Sequence, residues 1–150
     1  MSKAMVTGSF DPVTIGHLDL VRRALEKYDE VCIGVLINPE KSYAYTLTQR
    51  LEFLRLALTG LGVSVYHSDG LAVDLAKSVG ADVMVRGVRP GDEAYEAELA
   101  RLNQQIGSVR TEFIACDKRY ANVSSTMVKE RLARGEDVSD IVPAQIVNRL

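Results

Sequence analysis

The stretch Gly8-Ser-Phe-Asp-Pro-Val-Thr-Ile-Gly-His-Leu-Asp19 follows a short apolar run, Ala4-Met-Val6. It precedes apolar residues spaced as one helix face, Leu18, Leu20, Val21, Ala24 and Leu25. The change of period marks a strand-to-helix turn and sets His17 on the first turn of the helix. Open α/β proteins hold phosphates at such turns, because the start of a helix offers unpaired N–H groups and the positive end of its dipole. Neither GxGxxG nor GxxxxGK[ST] occurs in the chain, so the glycine-rich fingerprints do not account for the turn.

The same alternation runs outward from this turn to both ends of the chain. Residues 3–7 read as a strand and 18–28 as a helix. Residues 31–37, Val-Cys-Ile-Gly-Val-Leu-Ile, form a nearly unbroken β-branched run, the pattern of a parallel strand covered on both faces. Thr46-Leu-Thr-Gln49 has capping-box spacing and opens a helix that ends near Gly60. Strands follow at 63–66, 82–88 and 112–116. Helices fall at 71–78, 93–105 and 125–134, with a last short helix from Pro143. The pattern predicts an α/β fold, a single doubly wound parallel five-stranded sheet of Rossmann-like type, with residues 1–150 as one domain.

Composition agrees with a globular domain, at 47% hydrophobic and 25% charged residues in 150. A formal net charge of -2 gives no bulk reason to expect nucleic acid or a membrane as partner. Cys32 and Cys116 lie in apolar runs read as strands and form no CxxC pair, so both read as buried free thiols. No charged-then-apolar leader and no membrane-length apolar run is present, which makes a cytoplasmic protein the expectation.

In a doubly wound sheet, ligands bind beyond the carboxyl ends of the strands. The residues with chemistry collect there. Ser9, Phe10 and His17 follow the first strand and Lys41 the second. Arg86, Gly87, Val88 and Arg89 close the fourth, and Tyr120-Ala-Asn-Val-Ser-Ser-Thr126 follows the fifth. A lysine, arginines able to bind bidentately, a histidine, hydroxyls and helix N-termini are parts for holding several phosphates. The set suits phosphoryl or nucleotidyl transfer, where positioning and charge stabilisation dominate. Each residue also has a plainer reading. His17 and Ser124-Ser-Thr126 could cap helices. Lys41 could be a solvated charge, and Arg86 could pair with Glu96 or Glu98. His67 has no motif around it.

Taken together, these residues resemble a known family. Gly8-Ser-Phe-Asp-Pro-Val-Thr14-Ile-Gly-His17 is similar to the first signature of the nucleotidyltransferase superfamily, HxGH, with Thr14 at its first position as in the pantetheine-phosphate adenylyltransferase branch. Val123-Ser-Ser-Thr126 resembles the second signature. Arg86-Gly-Val-Arg89, Tyr95-Glu96 and Asn103 resemble that branch's RGLR…YE…N segment, and Asn38-Pro-Glu-Lys41 its lysine loop. The resemblance implies transfer of the adenylyl group from ATP to 4′-phosphopantetheine, giving dephospho-coenzyme A and pyrophosphate.

It also implies roles for residues. His17 would bind ATP and stabilise the transition state, and Ser9 would contact both substrates. Lys41, Arg86 and Ala72 would bind the pantetheine substrate. Phe10, Gly87, Val88, Arg89, Glu96, Tyr120, Ala121, Asn122, Val123, Ser124, Ser125 and Thr126 would line ATP. Magnesium would be the cofactor, carried by ATP rather than by a protein metal site. A homohexamer is implied, with coenzyme A as a possible further ligand. The chain departs from the branch at Asp92-Glu-Ala-Tyr-Glu96, where DFEYE is common, and at Asn122, where an aromatic is usual. The rival readings are another adenylyl- or cytidylyltransferase and a non-catalytic nucleotide-binding sensor. Thr14 and Arg86-Gly-Val-Arg89 argue against the first, and the intact phosphate-binding set against the second.

Overall fold

The computed structural model describes residues 2–88, 92–107 and 109–150, so Arg89 lies outside the described residues. Five strands alternate with helices: β1 (Lys3–Gly8), α1 (Ile15–Lys27), β2 (Glu30–Leu36), α2 (Leu47–Ala57), β3 (Ser64–Ser68), α3 (Ala72–Ser78), β4 (Val83–Val88), α4 (Glu93–Gly107), β5 (Arg110–Ala115) and α5 (Ser125–Ala133). All four strand pairings are parallel, in the order β3-β2-β1-β4-β5. The chain steps outward from β1 to β3 and then returns to lay β4 against β1. That reversal makes the crevice between β1 and β4 the topological switch point, the place where doubly wound sheets take ligands.

Strand alternation sorts the core into two layers. Ala4, Val6, Val31, Ile33, Val35, Val83 and Val85 face α1, α2 and α5, while Met5, Cys32 and Met84 face α3. Gly34 lies in the second layer by necessity: a Cβ there would stand 2.7 Å from Met5 Sδ and 3.1 Å from Leu75 Cδ2. The expected Thr46 capping box is present. Gln49 N–H donates to Thr46 Oγ1 at 3.1 Å and Thr46 N–H to Gln49 Oε1 at 2.9 Å.

The expected last short helix is present, and one expectation needs correction. The last short helix is a 3-10 helix, Ala144–Arg149, with Pro143 as its cap, and Ile146 is buried against α2. Cys116 does not sit in a strand. It lies one residue beyond β5 and is only half-buried, because β5 is an edge strand ending at the ligand crevice. Cys32 is the buried thiol, and burial pushes its pKa up to about 11. His67 is exposed on β3. No helix among the described residues is long and apolar enough to cross a membrane.

Candidate active site

The turn after β1 is built around a histidine that completes a cap. Thr14 is the N-cap of α1, and its Oγ1 accepts the His17 N–H at 3.3 Å. In return His17 Nδ1 accepts the Thr14 N–H at 3.0 Å, so histidine takes the place that Glu or Gln holds in the usual box. A ring nitrogen that accepts an N–H carries no proton, so the neutral imidazole is the Nε2–H tautomer, a donor. Phe10 packs edge-on against the ring at 4.8 Å between centroids and is itself buried. Phe10 holds a positive φ of 50°, which turns the chain out of β1, and a Cβ at Gly8 would press on its ring at 3.2 Å. The cap and the functional reading of His17 are therefore compatible.

A cavity of about 360 Å³ opens at the switch point, within the range of small-molecule sites. Ser9, Phe10, His17, Lys41, Arg86 and Gly87 line it from the β1, β2 and β4 side. Glu96, Tyr120, Val123, Ser124, Ser125 and Thr126 close it from the α4 and α5 side. A shallower adjoining groove shares Ser9 and Lys41 and is lined further by Tyr43, Leu71 and Tyr95. Ala72 begins α3 beside that groove but is not in its lining. Val88, Ala121 and Asn122 are likewise outside the cavity lining, Asn122 being exposed.

At the mouth of β4, Arg86 is held as a fork. Its Nε and Nη2 donate to the two Glu96 oxygens at 2.7 and 3.2 Å, and Nη1 donates to Thr7 Oγ1 at 3.2 Å. One N–H remains on each of Nη1 and Nη2, donors suited to a phosphate. The plainer reading of Arg86, an ion pair with Glu96, is thus realised, and the pair aims the guanidinium. Ser124 caps α5, its Oγ accepting the Met127 N–H at 3.1 Å. Ser125 Oγ donates to the Pro12 carbonyl at 2.7 Å, joining α5 to the first turn.

Several site residues were not foreseen. Lys129 lines the cavity one turn into α5 and lies 3.4 Å from a buried Asp11 oxygen. Its spacing from Ser125 on one helix face was the available signal. Ile114, Ala115 and Cys116 also line the wall, as does Arg23. Arg23 donates to Asp19 at 2.9 Å and to Asp117 at 3.2 Å. Bonds from Arg119 hold the Asp117 carboxyl down at about 2 and fix the 3-10 turn Lys118–Tyr120 that presents Tyr120. The backbone N–H of Ile15, at the start of α1, is satisfied by Ile141 O at 3.1 Å, a partner far along the chain.

A strand-switch crevice with two capped helix N-termini and a fork of cations defines a nucleotide-handling α/β enzyme. The model of the cytidylyltransferase-like family matches residues 5–131. A phosphopantetheine adenylyltransferase of Cutibacterium acnes is 38% identical over 96% of this chain and 93% of its own. One of Symbiobacterium thermophilum is 42% identical over 100% of this chain and 94% of its own. The chain belongs to the phosphopantetheine adenylyltransferase family, within the cytidylyltransferase-like class. Two solved structures share the fold. One, described as a nicotinate-nucleotide adenylyltransferase from Vibrio parahaemolyticus, gives a TM-score of 0.67 at 20% identity, covering 99% of this chain and 97% of that one. A lipopolysaccharide core biosynthesis protein from Thermoplasma volcanium gives 0.58 at 20% identity, over 79% and 98%.

Proposed function

We propose that this chain transfers the adenylyl group of ATP reversibly to 4′-phosphopantetheine, giving dephospho-coenzyme A and pyrophosphate in coenzyme A biosynthesis. One observation carries the reading. His17, Lys41 and Arg86, which leave three different strands, line a single cavity beside the N-termini of α1 and α5. The names of the two bacterial relatives support the acceptor.

The chemistry asks little of the protein beyond charge and position. An oxygen of the acceptor phosphate attacks the α-phosphorus, a new P–O bond forms, and the bond to pyrophosphate breaks with its electron pair. A phosphate oxygen is already a nucleophile, so no side-chain nucleophile is needed. Repulsion between the two anions is the obstacle. Lys41 and the remaining N–H donors of Arg86 hold the acceptor phosphate. His17 Nε2–H donates to the oxygens whose charge grows in the transition state. The α5 N-terminus at Ser124 to Thr126 takes the nucleotide phosphates, with Glu96, Gly87 and Tyr120 on the ATP side.

Among the described residues no group of three or more His, Cys, Asp or Glu could hold a metal ion. Magnesium bound with ATP would supply further charge neutralisation at the phosphates. The same reading extends to coenzyme A as a ligand, to a cytoplasmic setting and to a homohexamer, which the mass in solution tests.

The deciding assay is pyrophosphate release from Mg-ATP with 4′-phosphopantetheine, without it, and with nicotinamide mononucleotide in its place. Release with phosphopantetheine alone is expected. Release with the mononucleotide alone overturns the acceptor, and nucleotide binding without release favours a sensor.

A further inference from the structure

Two buried charges of opposite sign flank the first turn, and the phosphate chemistry above uses neither. Asp11 is 2% exposed. Its carboxylate accepts the backbone N–H of Ala44 at 2.9 Å and of Tyr45 at 3.0 Å, besides lying 3.4 Å from Lys129 Nζ. Arg50, on the first turn of α2, is equally buried at 2%. Its Nη1 donates to the Ser9 carbonyl at 3.1 Å, and its guanidinium carbon lies 4.0 Å from the centre of the Tyr43 ring. Its Nε is buried without a partner, and no carboxylate pairs with it among the described residues. Burying an ion is costly unless it is well paired, so two such residues at one turn call for a reason beyond packing.

The bonds themselves supply the reason. The loop carrying Lys41 runs from Asn38 to Tyr45 on the surface, and Lys41 is exposed. A loop of this kind opens easily unless its backbone is tied. Asp11 ties its far end by two amides. Arg50 lies against Tyr43, whose hydroxyl accepts the Asn38 N–H at 2.8 Å and so closes the near end. Lys41 Nζ itself stands 5.4 Å from the centre of the Tyr43 ring. Both clips reach the segment Ser9 to Asp11. Among the described residues, Ser9 and Lys41 are the two that line both the cavity and the adjoining groove.

We infer that Asp11 and Arg50 are positioning residues that clip the Lys41 loop to the Ser9 turn, so that Ser9 and Lys41 meet the same acceptor phosphate. The effect falls first on the acceptor, because Lys41 is the residue that the clips hold in place. The nucleotide phosphates lie at the N-terminus of α5, which the clips reach only through the Asp11 contact with Lys129.

This inference rests on the proposed reaction for its kinetic readout, and a second readout is independent of it. Asp11→Asn keeps one acceptor oxygen but turns an amide N–H toward the other backbone donor. Hydrogen bonds to charged groups are strong, so the KM for 4′-phosphopantetheine is expected to rise about tenfold or more, with the KM for ATP changed about twofold or less. A double-mutant cycle asks whether Asp11 works through Lys41. In a Lys41→Ala background, Asp11→Asn should add about twofold or less. An equal loss in both backgrounds, equal losses for both substrates, or no loss overturns the inference. Arg50→Lys keeps the charge but loses the fork and the flat face, and it replaces Asp11→Asn in the cycle where that variant does not fold.

Amide exchange tests the clip without any assay. The Ala44 and Tyr45 amides should be protected in the unmodified protein without substrate, and Asp11→Asn should speed their exchange about tenfold with the α5 amides unchanged. Unprotected amides in the unmodified protein sink the clip even where the enzyme is active. Protected amides in a protein that releases no pyrophosphate keep the clip and reject the reaction.

Discussion

His17 Nδ1 lies 3.0 Å from the backbone nitrogen of Thr14, so the residue given the reacting phosphate is locked by the cap of its own helix. One bond fixes tautomer, ring orientation and helix start together. His17→Ala should therefore lower kcat by about a hundredfold or more, as loss of one oxyanion donor does, while ATP affinity falls far less. Steady-state kinetics beside direct nucleotide binding separates the two, and equal losses reject the assigned role.

Removing the other half of that cap should act on stability first. Thr14→Ala loses the Oγ1 acceptor and should cost about 1 kcal/mol. For a chain of this size that lowers Tm by about 2–4 °C, read by thermal unfolding.

Glu96 holds Arg86 by both oxygens, so Glu96→Gln should leave Arg86 charged but poorly aimed. The KM for 4′-phosphopantetheine should rise by about tenfold, the scale of one lost charge-assisted bond. Lys41→Ala, which leaves Glu96 in place on the ATP side, should penalise this substrate more than ATP. Unchanged phosphopantetheine kinetics in both variants would remove the pair from the acceptor site.

The two thiols should behave differently. Cys32 is buried with its pKa raised to about 11 by desolvation, whereas Cys116 is half-buried in the cavity wall. An aromatic disulfide reagent at pH 8 should titrate one thiol in the native protein and the second only after unfolding. Mg-ATP should slow the first. Two fast thiols, or no protection by the nucleotide, contradict this arrangement.

Acid should weaken the wall that carries Tyr120. The Asp117 carboxyl is held at about 2 by bonds from Arg119, with further attraction from Arg23, against an ordinary value of 3.8. The unfolded chain takes up this proton first as pH falls. The stabilisation is thus complete above about pH 4 and is lost between there and about pH 2. Asp117→Asn should flatten the pH dependence of unfolding in that window. An identical acid profile in the variant argues against the network.

Much of this molecule is legible in its order of residues, because period is local. The apolar run at 31–37 and the helix spacing after His17 give a parallel α/β sheet, and the Thr46 box gives a helix start. Observed element bounds differ from the expected ones by about one to three residues at most ends, as fraying and capping make them. Ser9, His17, Lys41, Arg86 and Ser124 to Thr126 are found together because the topology collects strand ends.

What the sequence by itself determined was therefore the class of fold, the edge of the sheet at which the polar residues collect and the kind of charge it presents. Tertiary structure alone decided which partners those charges keep. No local pattern shows that Asp11 faces the amides of Ala44 and Tyr45, that Arg50 lies under Tyr43, or that Ile141 satisfies the first amide of α1. Nor does it show that Cys116 falls past a strand end into the cavity wall. The physical reason is sequence separation. Periodicity reports which face of an element is dry, whereas a hydrogen bond between distant segments exists only after the sheet has closed and brought them within reach.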